Sequence, residues 1–343
     1  MSSDVTEETN IPQEVAEQEI PDSARVSFDS DQDGASTYRS GFVAVVGRPN
    51  VGKSTLINAL VGSRVAITSS RPETTRKAIR AILTRPTAQL VLVDTPGIHR
   101  PRTLLGQRLN DVVDDSLSDI DAVAFLLPAD QKIGPGDQRI LERLQGDFGK
   151  KGQEINSPEA WKKPVIAIVT KIDELSRTQL VDKLIEVDQF GHFSQIIPVS
   201  ALEKDNLDEV EKTLIESVPV GPQMYPEETV SEESATETIS ELVRGAFLEE
   251  LNDELPHSLA VVVDDLEYDD DGEHALAHVS LYVERDSQKP IIIGRGAEHL
   301  VRVKKKVRTA VNRAVGARTK LELHVKVSKE WQSDPKKLDR LGF

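Results

Sequence analysis

The chain has 343 residues, enough for about two domains, and its apolar share of 38% supports an ordinary core in each. Cysteine is absent, which excludes disulfides, thiol catalysis and thiolate metal sites. The start is acidic and no apolar run approaches the ~20 residues that span a bilayer, so a cytoplasmic protein is expected. The net charge of −16 is unevenly spread: from Lys289 onward fifteen Lys/Arg face five Asp/Glu, so a segment of +10 is joined to one of −26. A basic module of this kind is the footprint of a nucleic-acid-binding part.

Residues 1–38 hold ten acids against the single base Arg25 and few large apolar residues. Such a composition does not bury enough surface to fold, and predicts a disordered solubilising tail; an acidic arm competing with RNA for the basic module is the sharper alternative. From residue 39 to 218 short apolar runs alternate with amphipathic stretches, the pattern of an α/β domain with a mostly parallel sheet. The first strand, 42–46, runs into Gly47-Arg48-Pro49-Asn50-Val51-Gly52-Lys53-Ser54, and a helix follows over 54–61. Strand, G-x-x-x-x-G-K-S and helix together form a phosphate loop. Backbone N–H groups from Gly47 through Thr55 would cradle the phosphates of a nucleoside triphosphate, with Lys53 as a point charge and the Ser54 hydroxyl on magnesium.

The polar stretch Arg71-Pro72-Glu73-Thr74-Thr75-Arg76-Lys77 comes next. A threonine there is placed to close on magnesium when the third phosphate is present; Thr75 is favoured, with Thr74 as its competitor. Strands at 79–84 and 89–93 lead to Asp94-Thr95-Pro96-Gly97, where Asp94 is expected to hold magnesium through water and the Gly97 N–H to face the terminal phosphate. A helix at 104–117, a strand at 122–127 and a helix at 136–145 follow, and 146–163 reads as a surface insertion. The strand 164–169 delivers Thr170-Lys171-Ile172-Asp173 to a carboxyl edge. Asp173 there can accept both N–H donors of guanine, while the Lys171 stem covers the base. After a helix at 178–187 and the strand 195–199, Ser200-Ala201-Leu202 offers a backbone N–H to the guanine oxygen, so GTP is the expected nucleotide.

A helix at 206–217 closes this domain, and the proline-bearing, acidic stretch 219–237 reads as a linker. The remainder, 238–343, is read as a helix (238–253), two strands (258–266, 275–284), the run Ile291–Ile293, a turn Gly294-Arg295-Gly296-Ala297, a basic helix (297–315) and an alternating strand (320–327). Val301, Val307 and Val311 are expected to face inward, and some of Arg302, Lys304, Lys305, Lys306 and Arg308 to reach phosphates. The histidines, His278 and His324 among them, lack metal-ligand spacing, and Trp161 and Trp331 read as packing residues.

Taken together, G-R-P-N-V-G-K-S-T (47–55), E-T-T-R (73–76), D-T-P-G (94–97), T-K-I-D (170–173) and V-S-A-L (199–202) resemble the Era-type GTPases. Met224-Tyr225-Pro226-Glu227, Asp253-Glu254-Leu255-Pro256-His257-Ser258 and the terminal stretch Leu321–Phe343, with Trp331 and L-G-F, resemble the same family over about residues 40–343. The resemblance implies a P-loop GTPase domain followed by an α+β type II KH domain, which binds the 3′ end of small-subunit (16S) ribosomal RNA and acts in 30S ribosomal subunit assembly. It implies a cytoplasmic monomer, with peripheral association at the inner face of the membrane and no DNA partner. Asn50, Lys53, Thr75 and Gly97 are the implied catalytic residues. Ile98 cannot orient a water as glutamine does, and related GTPases with asparagine at the place of Asn50 use it to hold a potassium ion, so GTP, Mg2+ and K+ are the implied cofactors. Gly294, Arg295, Gly296 and Ala297 occupy the place of the KH domain's G-x-x-G loop, with alanine ending it. Thr170 stands where the family usually has asparagine, which implies weaker affinity with unchanged specificity. Two other readings stay open: an RNA-binding assembly factor for which GTP is mainly an allosteric ligand, and a tRNA-modification GTPase.

Overall fold

The computed structural model describes residues 37–63, 65–66, 79–96, 103–150, 157–251 and 258–343, without the side chains of Asp114, Asp115 and Ser118. The first sheet forms because four apolar runs are long enough to be buried on both faces, as parallel strands covered by helices must be. These are β1 (Arg39–Val46), β3 (Ala88–Asp94), β4 (Ala122–Pro128) and β5 (Val165–Thr170). With β2 (Ile79–Arg85) and β6 (Gln195–Val199) at the edges the order is β2-β3-β1-β4-β5-β6, and only β2 runs antiparallel to its neighbour.

Alternation along β1 sends Val43 and Val45 to one face and Ala44 and Val46 to the other. Helices α1 (Lys53–Val61) and α5 (Leu207–Ser217) cover the first face, burying Leu56, Ile57, Val210 and Leu214. Helices α2 (Leu104–Ser118), α3 (Pro135–Phe148) and α4 (Arg177–Phe190) cover the second, burying Val113, Ile140, Leu144 and Val187. Because β1, β3, β5 and β6 are parallel, Gly47, Asp94, Thr170 and Ser200 all emerge at one carboxyl edge. Part of the expected surface insertion is tied down: Gly149 bridges Trp161, whose buried indole donates to the His192 carbonyl at 2.6 Å.

The stretch read as a linker, 219–237, is bonded to this domain along most of its length. Buried Gln89 uses both ends of its amide: its oxygen accepts from the Met224 and Tyr225 N–H groups, each at 2.8 Å, and its nitrogen donates to Thr84 Oγ1 and the Tyr225 carbonyl. Farther on, Ser231 bridges Ala81, and the Glu232 N–H donates to the Arg80 carbonyl, covering the open edge of β2. Helix α6 (Ala235–Glu250) then starts inside the stretch expected to be linker, at a capping box between Ser234 and Glu237.

The second sheet holds β7 (Ala260–Tyr268), β8 (His274–Val283) and β9 (Arg318–Val327), with β7 antiparallel and β9 parallel to the central β8. Between β8 and β9 the chain makes a short helix α7 (Lys289–Ile293) and the long α8 (Glu298–Val315). Helices α6 and α8 pack on one face of this sheet, burying Phe247, Val303, Val307, Leu321 and Leu323 among others. One inward assignment is corrected: Val303 packs with Val307 and Val311, while Val301 is 62% exposed. Six residues before Val307 is about 120° round the helix, off the i, i+4, i+8 stripe.

A final helix, α9 (Pro335–Arg340), folds back with Trp331 to make a separate apolar cluster, to which α2 contributes Leu105 and Leu109. Trp331 is fully buried, donates to the Ser258 carbonyl at 3.0 Å and stacks on Phe343 with centroids 5.5 Å apart. Trp331→Ala is therefore expected to cost about 3–5 kcal/mol, seen as a lower urea midpoint for the C-terminal domain by circular dichroism.

Candidate functional site

The phosphate loop is shaped by residues whose backbone tolerates left-handed angles. Asn50 (φ 64°) and Gly52 (φ 101°) both occupy positive φ, which asparagine and glycine adopt with least strain. Lys53 begins α1 and is buried, its Nζ donating to the carbonyls of Gly47 at 3.2 Å and Arg48 at 3.1 Å. Burial pushes its pKa down, and the nearby Asp94 carboxylate pulls it partly back up. An anion placed against the loop and the α1 N-terminus stabilises this ammonium where water cannot. Ser54 Oγ donates to Asp94 Oδ2 at 2.7 Å, so the two expected magnesium ligands are adjacent, and their hard oxygens fit that ion. The Thr95 hydroxyl, donating to the Val45 carbonyl at 3.0 Å, fixes the turn after β3 against β1. Gly97, Ile98, Thr74 and Thr75 lie outside the described residues.

On the base side, Thr170 ends β5 and Lys171 takes a left-handed conformation (φ 61°), which turns the chain sharply before Asp173. Asp173 is exposed at the sheet edge, and Lys171 Nζ lies 3.3 Å from Asp130 Oδ2. Ser200 is buried, and its N–H already donates to the Asp205 carbonyl at 3.2 Å. That leaves Ala201 and the 72%-exposed Leu202 as the candidates for a guanine-oxygen donor. Pro49, Asn50, Val51 and Thr55 lie in or directly after the loop as the sequence order requires, with Val51 buried in the core beneath it.

The second candidate site is the turn between α7 and α8. Gly294 (φ 75°, ψ 172°) has no room for a side chain: a Cβ there would lie 3.0 Å from the His299 nitrogen. Gly296 (φ 58°) and Ala297 (φ 63°, ψ 24°) are both left-handed. The structure holds Ala297 in the left-handed conformation that alanine disfavours, at a cost of about 1–2 kcal/mol. Arg295 is exposed beside it. Among the expected RNA contacts, Arg302 pairs with Glu250 at 3.1 Å and Lys306 pairs with Glu249, both from α6, while Lys304 is half-buried and Lys305 exposed.

Two clamps on the loop went unread in the sequence. Arg48 Nε lies 2.7 Å from Oδ1 of Asp137, a fully buried carboxylate whose other oxygen accepts from the Gly134 N–H at 2.9 Å. Thr170 Oγ1 donates to the Val51 carbonyl at 2.6 Å. Neither contact has a spacing signature, since the partners are 89 and 119 residues apart. Through the second clamp the threonine ties the turn at 170–173 to the phosphate loop. Thr170→Val, which keeps the shape and loses the hydroxyl, is expected to weaken GTP and GDP binding about 5–10-fold, the worth of one hydrogen bond, whereas Thr170→Ser should stay near the parent; displacement of a fluorescent guanine nucleotide checks both.

Comparison with known proteins recognises both domains. A family model described as a 50S ribosome-binding GTPase matches residues 42–171, and a KH domain model matches residues 254–332. The GTPase Era of Mycobacterium avium is 47% identical over 308 residues, covering 89% of this chain and 99% of the relative. That of Streptomyces coelicolor is 46% identical over 323 residues, covering 92% and 98%. The crystal structure of Era in complex with MgGDPNP and nucleotides 1506–1542 of 16S ribosomal RNA superposes with a TM-score of 0.80 at 30% identity, covering 89% of this chain and 99% of that one. An Aquifex aeolicus Era variant bound to GDP.AlF4- matches equally well. At 47% identity to a GTPase Era that it matches over nearly its whole length, and with a GTPase domain followed by a KH domain, this chain belongs to the Era family of GTPases.

Proposed function

We propose that the chain is a GTP-driven switch that grips the 3′ end of 16S ribosomal RNA with its KH domain and acts in 30S subunit assembly. The RNA reading draws on the Era complex with 16S nucleotides and on the chemistry of α8. The turn 294–297 brings backbone close to the surface, and exposed Ile291 and Val301 flank it with apolar area suited to bases. Arg295, Lys304, Lys305 and Arg308 are the cations best placed for phosphates, since the Glu249 and Glu250 carboxylates compete for Lys306 and Arg302.

The observation that carries the coupling is the contact between α2 and the end of the chain. Helix α2 follows Asp94–Gly97 in sequence, and its Leu105 and Leu109 are buried against Trp331, Leu338 and Leu341. Beside them Arg108 pairs with Asp339 at 2.6 Å and donates to the Phe343 carbonyl. A rearrangement of the Asp94–Gly97 turn with the third phosphate would shift α2, and the KH domain would feel it through this cluster.

In the nucleotide pocket Lys53 would neutralise the terminal phosphates, and Ser54, Asp94 and Thr75 would hold magnesium, whose chemistry when bound is to balance charge on the phosphate oxygens. Asn50, exposed at the loop's tip, is the residue we assign to a potassium ion that adds positive charge there. A cytoplasmic monomer that visits the inner face of the membrane completes the reading; among the described residues no helix is long and apolar enough to cross a membrane.

Crosslinking in cells, compared between a GTP-locked and a GDP-bound state, should recover 16S ribosomal RNA in a nucleotide-dependent amount, and a tRNA-dominated recovery would overturn the assignment. Replacing Lys304 and Lys305 with glutamate should lower RNA affinity at least tenfold and flatten its salt dependence. Hydrolysis should run several-fold faster in potassium than in sodium, with the difference lost in Asn50→Ala; equal rates in the two salts would remove the role given to Asn50.

A further inference from the structure

Histidine spacing hides what strand pairing brings together. The parallel register of β8 and β9 sets His278 opposite Glu322 and Ser280 opposite His324. Glu322 and His324 are two residues apart on β9, so all three side chains share one face of the sheet. The intervening Leu321 and Leu323, like Ala277 and Val279, pack against α6 and α8, so this is the face turned away from those helices.

One ligand atom from each of His278, Glu322 and His324 lies within 4.8 Å of the other two. His278 Nδ1 is 3.6 Å from Glu322 Oε2, while Glu322 Oε1 is held by Lys320 Nζ at 2.8 Å. The lysine thus orients the carboxylate with its second oxygen toward the histidines. His324 is exposed and His278 half-buried, so both rings have the freedom to converge. Metal–ligand bonds of about 2.0–2.2 Å in a tetrahedron put ligand atoms about 3.3–3.6 Å apart, which asks for a closure of roughly 1 Å.

We infer that His278, Glu322 and His324 form a binding site for a late divalent transition metal, zinc foremost, on the outer face of the KH sheet. Two imidazoles and one carboxylate favour zinc, cobalt and nickel over magnesium and calcium, whose preference is for oxygen alone. Three protein ligands leave the fourth position to water. The metal joins β8 to β9, the one strand pair of this sheet that runs parallel and has no tight turn to fix it. It also sits on the face opposite the basic helix α8, so metal and RNA are compatible on one molecule. A second group, Asp269, Asp271 and His274, is exposed where the β7–β8 turn enters β8, and its carboxylates accept the His274 and Glu273 N–H groups. It reads as turn chemistry and serves as the control.

The test is calorimetric titration of zinc chloride into the full chain held as its magnesium–GDP complex, so that Ser54 and Asp94 are engaged, with cobalt absorption spectra reporting imidazole ligation. One zinc per chain at micromolar affinity is expected, weakened in H278A and in H324A by more than the roughly 10–100-fold that loss of an outer-shell partner costs and unchanged in H274A. Zinc binding that survives the H278A/H324A double variant, or no binding below millimolar zinc, overturns the site. Circular dichroism of the variants confirms that these surface changes leave the fold intact.

Discussion

Thr170 reaches across the carboxyl edge to the Val51 carbonyl while Arg48, on the other flank of the same loop, is locked to the buried Asp137. Between those two contacts the phosphate loop carries a desolvated ammonium and two left-handed residues, none of which would hold its place alone. The clamps come from the end of β5 and the start of α3, so the loop is fixed relative to the strand that leads into Lys171 and Asp173. Asp137 has both oxygens occupied and no exposure, which means that losing Arg48 would leave a buried carboxylate half satisfied. Preorganisation of this kind spares the ligand the cost of ordering the loop.

The far half of the molecule obeys a different constraint. Its turn at 294–297 places Gly294, Gly296 and Ala297 at positive φ, and the strain at the alanine is supported by α8 packing through Val303, Val307 and Val311. Strain of this order persists where surrounding structure fixes it. Helix α8 shows charge divided between two uses. Its Arg302 and Lys306 are neutralised by Glu250 and Glu249, which attach the helix to the domain, while Lys305 and Arg308 are exposed to solvent.

Much of this was legible in the chain. Apolar runs bounded by G-R-P-N-V-G-K-S, D-T-P-G and T-K-I-D place the six strands correctly, because the central runs are buried on both faces and their carboxyl ends must present chemistry. Period alone misplaces Val301, since a helix rich in valine offers more than one candidate stripe until its start is known. Thr170 escapes for another reason. Counting it as a lost amide looks only toward the base, whereas its hydroxyl points back to the loop, a direction set by tertiary structure. The same holds for Gln89, whose amide gathers the 224–225 segment from 135 residues away, and for His278 with His324, which become neighbours only through strand register.

The stitching of 219–232 along the first domain changes what the connection between domains can do. Read as nineteen loose residues, it would let the KH domain wander on a tether tens of ångströms long. Between Glu232, whose N–H donates to the Arg80 carbonyl, and Ala235, which opens α6, the chain has two residues, and both are bonded locally: the Glu233 N–H donates to Ser231 Oγ and Ser234 caps α6. Two residues span about 7 Å at most. The connection therefore holds the start of α6 within a few ångströms of the edge of β2, and the second attachment, the cluster of Leu105 and Leu109 with Trp331, is made by α2 and the end of the chain.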